Sequence, residues 1–407
     1  MRRFLSITLC AGLLFSVAAC DSYVEDVDLP IDDIDDSLLD DETQIPFVIQ
    51  GVQARFSDVV DFMSVLAAGL SDEFIFDQNV PNSTFPSFDE IDYCRVEFAN
   101  NTVDGGYEFV NELRFFADDL LRRTEGLTFE DATLQDETLF TGNFYGAVGR
   151  YYLATYFALT PDQPGGVITD NQDEPGPFLS SSELYSQALA KLDAAASTAT
   201  ADQAKLINFM RARIHLFQGD FAAAEAAAAA SYVEGDAGFT VPYATEDANY
   251  FWSQAGRGRS QFVANFRFND YLTENPDEVA RIPLDPITGN DDTTIYYRQG
   301  LYTERTSSIE FGTWQEVALI RAELAWRDGN NATALQLVNQ VRASHGLAAL
   351  DTIDQDLLLE ERDKELFTAG TRIVDMRRFN LPVEEACTGP WRHFPLTQSE
   401  RNGNTNF

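Results

Sequence analysis

Lysine is nearly missing from this chain. Of 407 residues only Lys191, Lys205 and Lys364 are lysines, so 25 of the 28 cations are arginines. Against them stand 66 carboxylates and a formal net charge of -38. Such a surface repels phosphate backbones, which excludes nucleic acid as a partner, and it offers no basic patch to anionic lipid. High salt screens the mutual repulsion of like charges. The composition therefore fits a salt-adapted source as well as an acidic, arginine-rich exported protein.

Histidine is equally scarce. His215, His345 and His393 are the only three, and none falls in HExxH spacing. The four cysteines include no CxxC pair. There is no phosphate-cradling glycine loop and no GxSxG elbow. With 66 acids, chance carboxylate pairs occur everywhere and say nothing about glycoside hydrolysis. These absences read against an enzyme and against any metal or other cofactor.

Long apolar runs are also missing, with one exception at the start. "MRRFLSITLCAGLLFSVAAC" has two arginines and then an apolar run from Phe4 to Ala19. That run is too short to span a bilayer comfortably and reads as a secretory signal. Its end, "VAAC", resembles a bacterial lipobox, which makes 1–19 a signal peptide and Cys20 the lipidated first residue. Asp21 to Glu42 holds eleven acids and no Lys or Arg. Like charges extend such a run, so 20–45 reads as a flexible tether. Cys94 and Cys387 then remain, either as a long-range disulfide in an oxidising compartment or as two free thiols.

What is abundant is core material, at 44% apolar and 12% aromatic residues. The apolar spacing predicts helices near 50–70, 105–123 and 137–159, then 180–199 with Ser182 as N-cap, 202–220 and 221–236. "ARIHLFQGDFAAAEAA" has the tetratricopeptide idiom: a helix stopped at glycine, a short turn, then an aromatic and small residues. The idiom returns at 316–346, and 356–370 adds a further helix. Segments 72–102 and 237–310 lack helical period and are rich in turn residues. The expectation is a mostly α-helical domain over 46–407: helical pairs as scaffold, with two irregular insertions as the working surface.

One stretch stands apart, "ERDKELFTAGTRIVDMRRFN" (361–380). Between Arg362 and Arg378 five cations face three anions. Glu360 with Lys364, and Glu361 and Glu365 with Arg362, lie at helical pairing distance. In so acidic a chain Arg372, Arg377 and Arg378 are expected to bridge neighbouring helices rather than hold an anionic ligand.

"GLSDEF" (69–74), "YEFVNELRFFADDLL" (107–121), "GNFYGAVGRYYLATYFAL" (142–159), the helical pairs, "LLEERDKELFTAGTRIVDMRRF" and "HFPLTQSERNGN" (393–404) follow one another in a family order. Together they resemble the SusD/RagB family of outer-membrane nutrient-binding lipoproteins over essentially the whole length. Departures after Leu159 and at "FPLTQSE" mark a divergent member, so no ligand type carries over. The resemblance implies a single SusD-like domain, lipid-anchored in the outer membrane and exposed at the cell surface. It implies a SusC-like TonB-dependent transporter as partner and an oligosaccharide or peptide as ligand. The other reading of the repeats is a periplasmic tetratricopeptide scaffold that binds proteins.

Sugar rings need aromatic platforms flanked by Asp, Asn or Arg. Both insertions supply them. The candidate ligand residues are Asp72, Phe76, Phe88 and Tyr93 in the first, and Trp252, Tyr296, Tyr297 and Arg298 in the second. The two segments are expected to meet at one site.

Overall fold

The computed structural model describes residues 39–169 and 175–406. The signal peptide, Cys20 and nearly all of the tether lie outside the described residues.

Three long helices form the first layer: Ile45–Leu70, Asn101–Thr124 and Ala132–Tyr156. Their starts follow from local chemistry. The side chains of Asn100 and Asp131 accept hydrogen bonds from the first free backbone N–H groups of the second and third. The last two cross closely because the contact is made by glycine. A Cβ on Gly149 would stand 2.7 Å from Cβ of Arg114.

The helical pairs come next. Ser181–Ala195 is capped by Ser180, not Ser182. Ser180 sits three residues before Glu183, so each side chain satisfies the other's backbone N–H. Ala201–Gln218 stops at Gly219, whose φ of 78° suits glycine, and Phe221–Ala229 turns back along it. The second pair is Trp314–Arg327 and Asn331–Ser344. The two pairs are not contiguous in sequence but stack in space. A buried bidentate bond from Arg213 to Glu316 (2.6 and 2.6 Å) joins them.

The fold is mostly helical, as the periodicity predicts, but the insertions are more ordered than expected. Phe74–Ile75, Val263–Ala264, Ile295–Gln299 and Leu284–Thr288 form one antiparallel sheet in that order. A second sheet joins Phe394–Pro395, Phe157–Thr160, Gln163–Thr169 and Pro175–Ser180. Strands of two residues are too short for alternation to show in sequence.

The cationic stretch is internal wiring. Arg362 grips Asp375 with two bonds (2.7 and 3.0 Å), Arg372 grips Asp72 (2.6 and 2.7 Å) and Arg378 grips Glu323 (2.7 and 2.7 Å). Lys364 reaches Glu360 at 2.5 Å. Two details differ from the sequence reading. Glu361 bonds Arg281 (2.9 Å) and Arg342 (2.5 Å), and Glu365 bonds His345, so neither serves Arg362. Among the described residues Arg377 has no carboxylate partner, and it donates to the carbonyls of Thr155 and Arg392.

Cys94 and Cys387 are joined, with an S–S distance of 1.94 Å. The bond lies beside two backbone links between the same segments. Gly389 N–H donates to the Tyr93 carbonyl (3.0 Å) and Trp391 N–H to the Cys94 carbonyl (3.3 Å).

Candidate functional site

The two irregular segments do meet. Phe74 and Ile75 pair with Ala264 and Val263. One buried side chain, Gln261, then clamps the adjoining loop. Its Oε1 accepts from the N–H groups of Thr84 (3.0 Å) and Phe85 (2.9 Å), and its Nε2 donates to the Asn82 carbonyl (2.5 Å). Further along, the Tyr296 hydroxyl donates to Asp77 (2.6 Å) and accepts from Asn79 (3.1 Å).

Meeting is not the same as exposure. Phe76 and Phe88 are 5% and 1% exposed, and Phe88 packs on Phe262 at 4.8 Å. Strand alternation splits the tyrosine pair. Tyr296 turns into a small core with Val80 and Val263, while Tyr297 is half-buried against the main core. Asp72 is committed to Arg372 and Arg267. Arg298 is ion-paired with Asp285 at 2.8 Å. Phe76, Phe88 and Tyr296 are therefore closed to a ligand, and Asp72, half-buried, is taken up by its two ion pairs. Tyr93, Trp252 and Tyr297 keep partly open rings.

The open rings share a pattern that the sequence did not show. Each of four is covered on one side by a guanidinium: Tyr93 by Arg95 (5.3 Å), Phe85 by Arg259 (5.1 Å), Trp252 by Arg305 (5.2 Å) and Phe98 by Arg401 (4.0 Å). The last pair has a cavity. A pocket of about 560 Å3 is lined by Phe98, Trp391, Gln398, Arg401 and Asn402. Phe98 is 44% exposed, and Trp391 meets its ring at 6.2 Å. Arg401 is fixed by the carbonyls of Leu396 (2.7 Å) and Leu159 (2.5 Å). An apolar ring face beside a fixed guanidinium and the exposed amides of Gln398 and Asn402 suits a sugar ring, which has C–H faces and a rim of hydroxyls. Trp391 and Arg401 lie outside both insertions, so sequence reasoning missed them. The signal was there: a tryptophan in the turn "TGPWR", just after Cys387.

The comparisons with known proteins agree with this architecture. A sequence model described as the SusD family matches residues 314–407. A SusD superfamily protein from Bacteroides thetaiotaomicron superposes with a TM-score of 0.73 over 90% of this chain and 98% of its own, at 15% identity. The fold is SusD-like. The fold holds over nine-tenths of its length, and the C-terminal segment carries the family sequence. A laminarin-binding SusD-like protein covers 89% of the chain and 97% of its own length, with a TM-score of 0.70 and 14% identity. Surface glycan-binding protein A from Bacteroides uniformis covers 90% and 99%, at 0.67 and 15%. No match was found among curated proteins.

The fold also buries two acids, Glu73 and Asp92, that resist ionisation. Burial raises Glu73 to about 8, although the Thr368 N–H donates to it. Burial raises Asp92 to about 7 against the Phe76 N–H bond. Each stays protonated in the fold at pH values where the unfolded chain has lost the proton. The stability this gives is complete below about pH 4 and is lost as pH rises towards 8. Stability is therefore expected to fall between pH 5 and pH 8 by roughly 3 kcal/mol from each of the two groups. Urea titrations across that range check it. Glu73→Gln, which keeps an acceptor for Thr368 but cannot ionise, should flatten the decline. An unchanged slope in that variant would remove Glu73 as the cause.

Proposed function

We propose that this chain captures oligosaccharides at the cell surface and passes them to a SusC-like TonB-dependent outer-membrane transporter. The observation that carries the reading is the pocket of Phe98, Trp391 and Arg401, a ring-and-guanidinium site on a SusD-like scaffold. Two proteins of the same fold have names that state laminarin binding and surface glycan binding. Trp252, Tyr297 and Tyr93 are further partly open rings, outside the lining of that pocket, that a ligand could stack on.

The lipobox-like "VAAC" and the acidic run after it fit anchoring through a lipid on Cys20, with the tether holding the domain away from the membrane. No helix among the described residues is long and apolar enough to cross a bilayer. Nor do the described residues include a cluster of His, Cys, Asp or Glu placed to hold a metal ion. The reading is of a binding protein that transfers its ligand unchanged.

Affinity electrophoresis through gels containing laminarin, xylan, starch or mannan tests the site. Phe98→Ala, Trp252→Ala and Tyr297→Ala each remove an open ring without touching the buried charges. Retardation by the preferred polysaccharide should weaken about tenfold in Phe98→Ala, and less in the other two. If all three variants migrate as the wild type does in every gel that retards it, this surface is not the site.

A further inference from the structure

A cavity of about 320 Å3 lies where the helix Ala201–Gln218 meets Ile45–Leu70 and Ala132–Tyr156. It shares no residue with the Phe98 pocket. Four rings line it: Phe140, Tyr145, Tyr232 and Phe239. Other rings hold them from behind. Phe140 stacks on Phe144 (5.3 Å), Tyr145 and Phe239 both pack on Phe56 (4.9 and 6.2 Å), and Tyr232 packs on Phe209 (6.1 Å). The walls are therefore fixed before any ligand arrives.

Two observations point to an occupant. The first concerns the hydroxyls. Tyr145 and Tyr232 are 5% and 6% exposed. Neither hydroxyl has a hydrogen-bond partner among the described residues, and neither is sealed away from solvent as the Tyr151 hydroxyl is. Both residues line the cavity, so two nearly buried hydroxyls are left for whatever enters it.

The second concerns charge. Elsewhere in this chain an open ring often lies beneath a guanidinium, as Phe85, Phe98 and Phe221 do. Among the described residues no cation stands over any of the four rings here. Lys205 lines the cavity, but its Nζ is turned to Asp236 at 2.6 Å. Asp202 lines it too, exposed and with no hydrogen bond or ion pair among the described residues. Burial, and then the carboxylates of Asp202 and Asp236, raise the Tyr232 phenol to about 12. Both carboxylates therefore act on the space in front of that ring. Two carboxylates and one ammonium leave the lining with one negative charge.

An anion would meet that charge. A neutral ring would use the walls and leave Asp202 idle. An organic cation uses the ring faces, the carboxylate and the phenol oxygens together. We propose that this cavity binds an organic ammonium ion, its cationic head between the faces of Tyr145, Tyr232 and Phe239 and its counter-ion Asp202. The phenol oxygens accept from the N–H groups of a primary ammonium or touch the methyl groups of a quaternary one. The volume leaves room for a short carbon chain behind the head. The site stands apart from the glycan reading and does not depend on it.

Calorimetric titration of the purified protein with tetramethylammonium, choline and ethanolamine tests it. Potassium chloride at equal ionic strength serves as the reference for screening of the acidic surface. At least one of the three ions should bind saturably at one site. Dimethylbutanol, the uncharged carbon analogue of choline, should not bind. Asp202→Asn and Phe239→Leu should each weaken the ion about tenfold, and Phe98→Ala should leave it unchanged. Asp202 is at the surface, and an unaltered melting temperature confirms that its variant is folded. Preference for choline over ethanolamine identifies a methylated ammonium, and the reverse a primary one held by hydrogen bonds. Dimethylbutanol binding as tightly as choline would overturn the proposal. So would binding that both Asp202→Asn and Phe239→Leu leave unchanged, or heats no different from those of potassium.

Discussion

Replacing Asp375 by alanine is expected to destabilise the chain by about 3–5 kcal/mol. Asp375 is 3% exposed and Arg362 is 2% exposed. Burial alone would raise the Asp375 carboxyl, but Arg362 and Arg378 outweigh it and hold the group at about 2. Removing the carboxylate leaves Arg362 buried beside Arg378, with Glu323 as the nearest remaining anion at 3.9 Å from its Nε. An uncompensated buried charge is what makes such a deletion costly. The pair itself need not be strongly stabilising. Arg362→Met with Asp375→Leu should therefore recover much of the loss, because it removes both charges and keeps the volume. Urea denaturation of the three proteins measures this. A loss under about 1 kcal/mol for Asp375→Ala would mean that water reaches the site and the network is not buried. The same carboxylate sets a lower pH limit. Its folded-state value is depressed, so its contribution is present above about pH 4 and is lost as pH falls towards 2.

Reduction of the Cys94–Cys387 bond is the second large expected effect. The bond closes a loop of 293 residues. The loop-entropy argument then gives about 5–6 kcal/mol, before the usual discount for structure retained in the unfolded chain. Cys94→Ser with Cys387→Ser should lower the urea midpoint accordingly, and a reductant should do the same to the wild type and nothing to the variant. There is a functional corollary. The bond pins the turn that carries Trp391 against the segment that leads to Phe98. Ligand binding should weaken on reduction even where the protein remains folded. Equal midpoints for the wild type and the double serine variant would show that the two backbone bonds at Tyr93 and Cys94 are enough.

The helical scaffold was legible because its signals are local. Gly219 ends a helix by itself, and small residues such as Ala222 and Ala224 mark a close pair within a dozen positions. The cationic stretch from Arg362 to Arg378 was legible as wiring because charge balance in so acidic a chain leaves little else. The family order of the motifs gave the overall architecture. The site was legible only in outline. That segments 72–102 and 237–310 meet was expected, but which rings stay open was not. Phe88 and Tyr93 read alike in sequence, yet only Phe88 finds Phe262 to pack on. Tyr296 and Tyr297 differ only by strand parity, which a strand as short as Val263–Ala264 imposes from a distance. The Phe98–Trp391 contact joins segments nearly 300 positions apart, beside the Cys94–Cys387 bond, so no window of sequence contains it.

The central claim is that this chain binds glycans through open aromatic rings. An array of plant, fungal and algal oligosaccharides alongside unrelated peptides, probed with the mature protein and with Phe98→Ala, tests it most directly. The account predicts binding of the wild type to one class of oligosaccharide, no binding to peptides, and loss of that signal in Phe98→Ala. Binding to peptides alone, or glycan binding that Phe98→Ala leaves untouched, would contradict it.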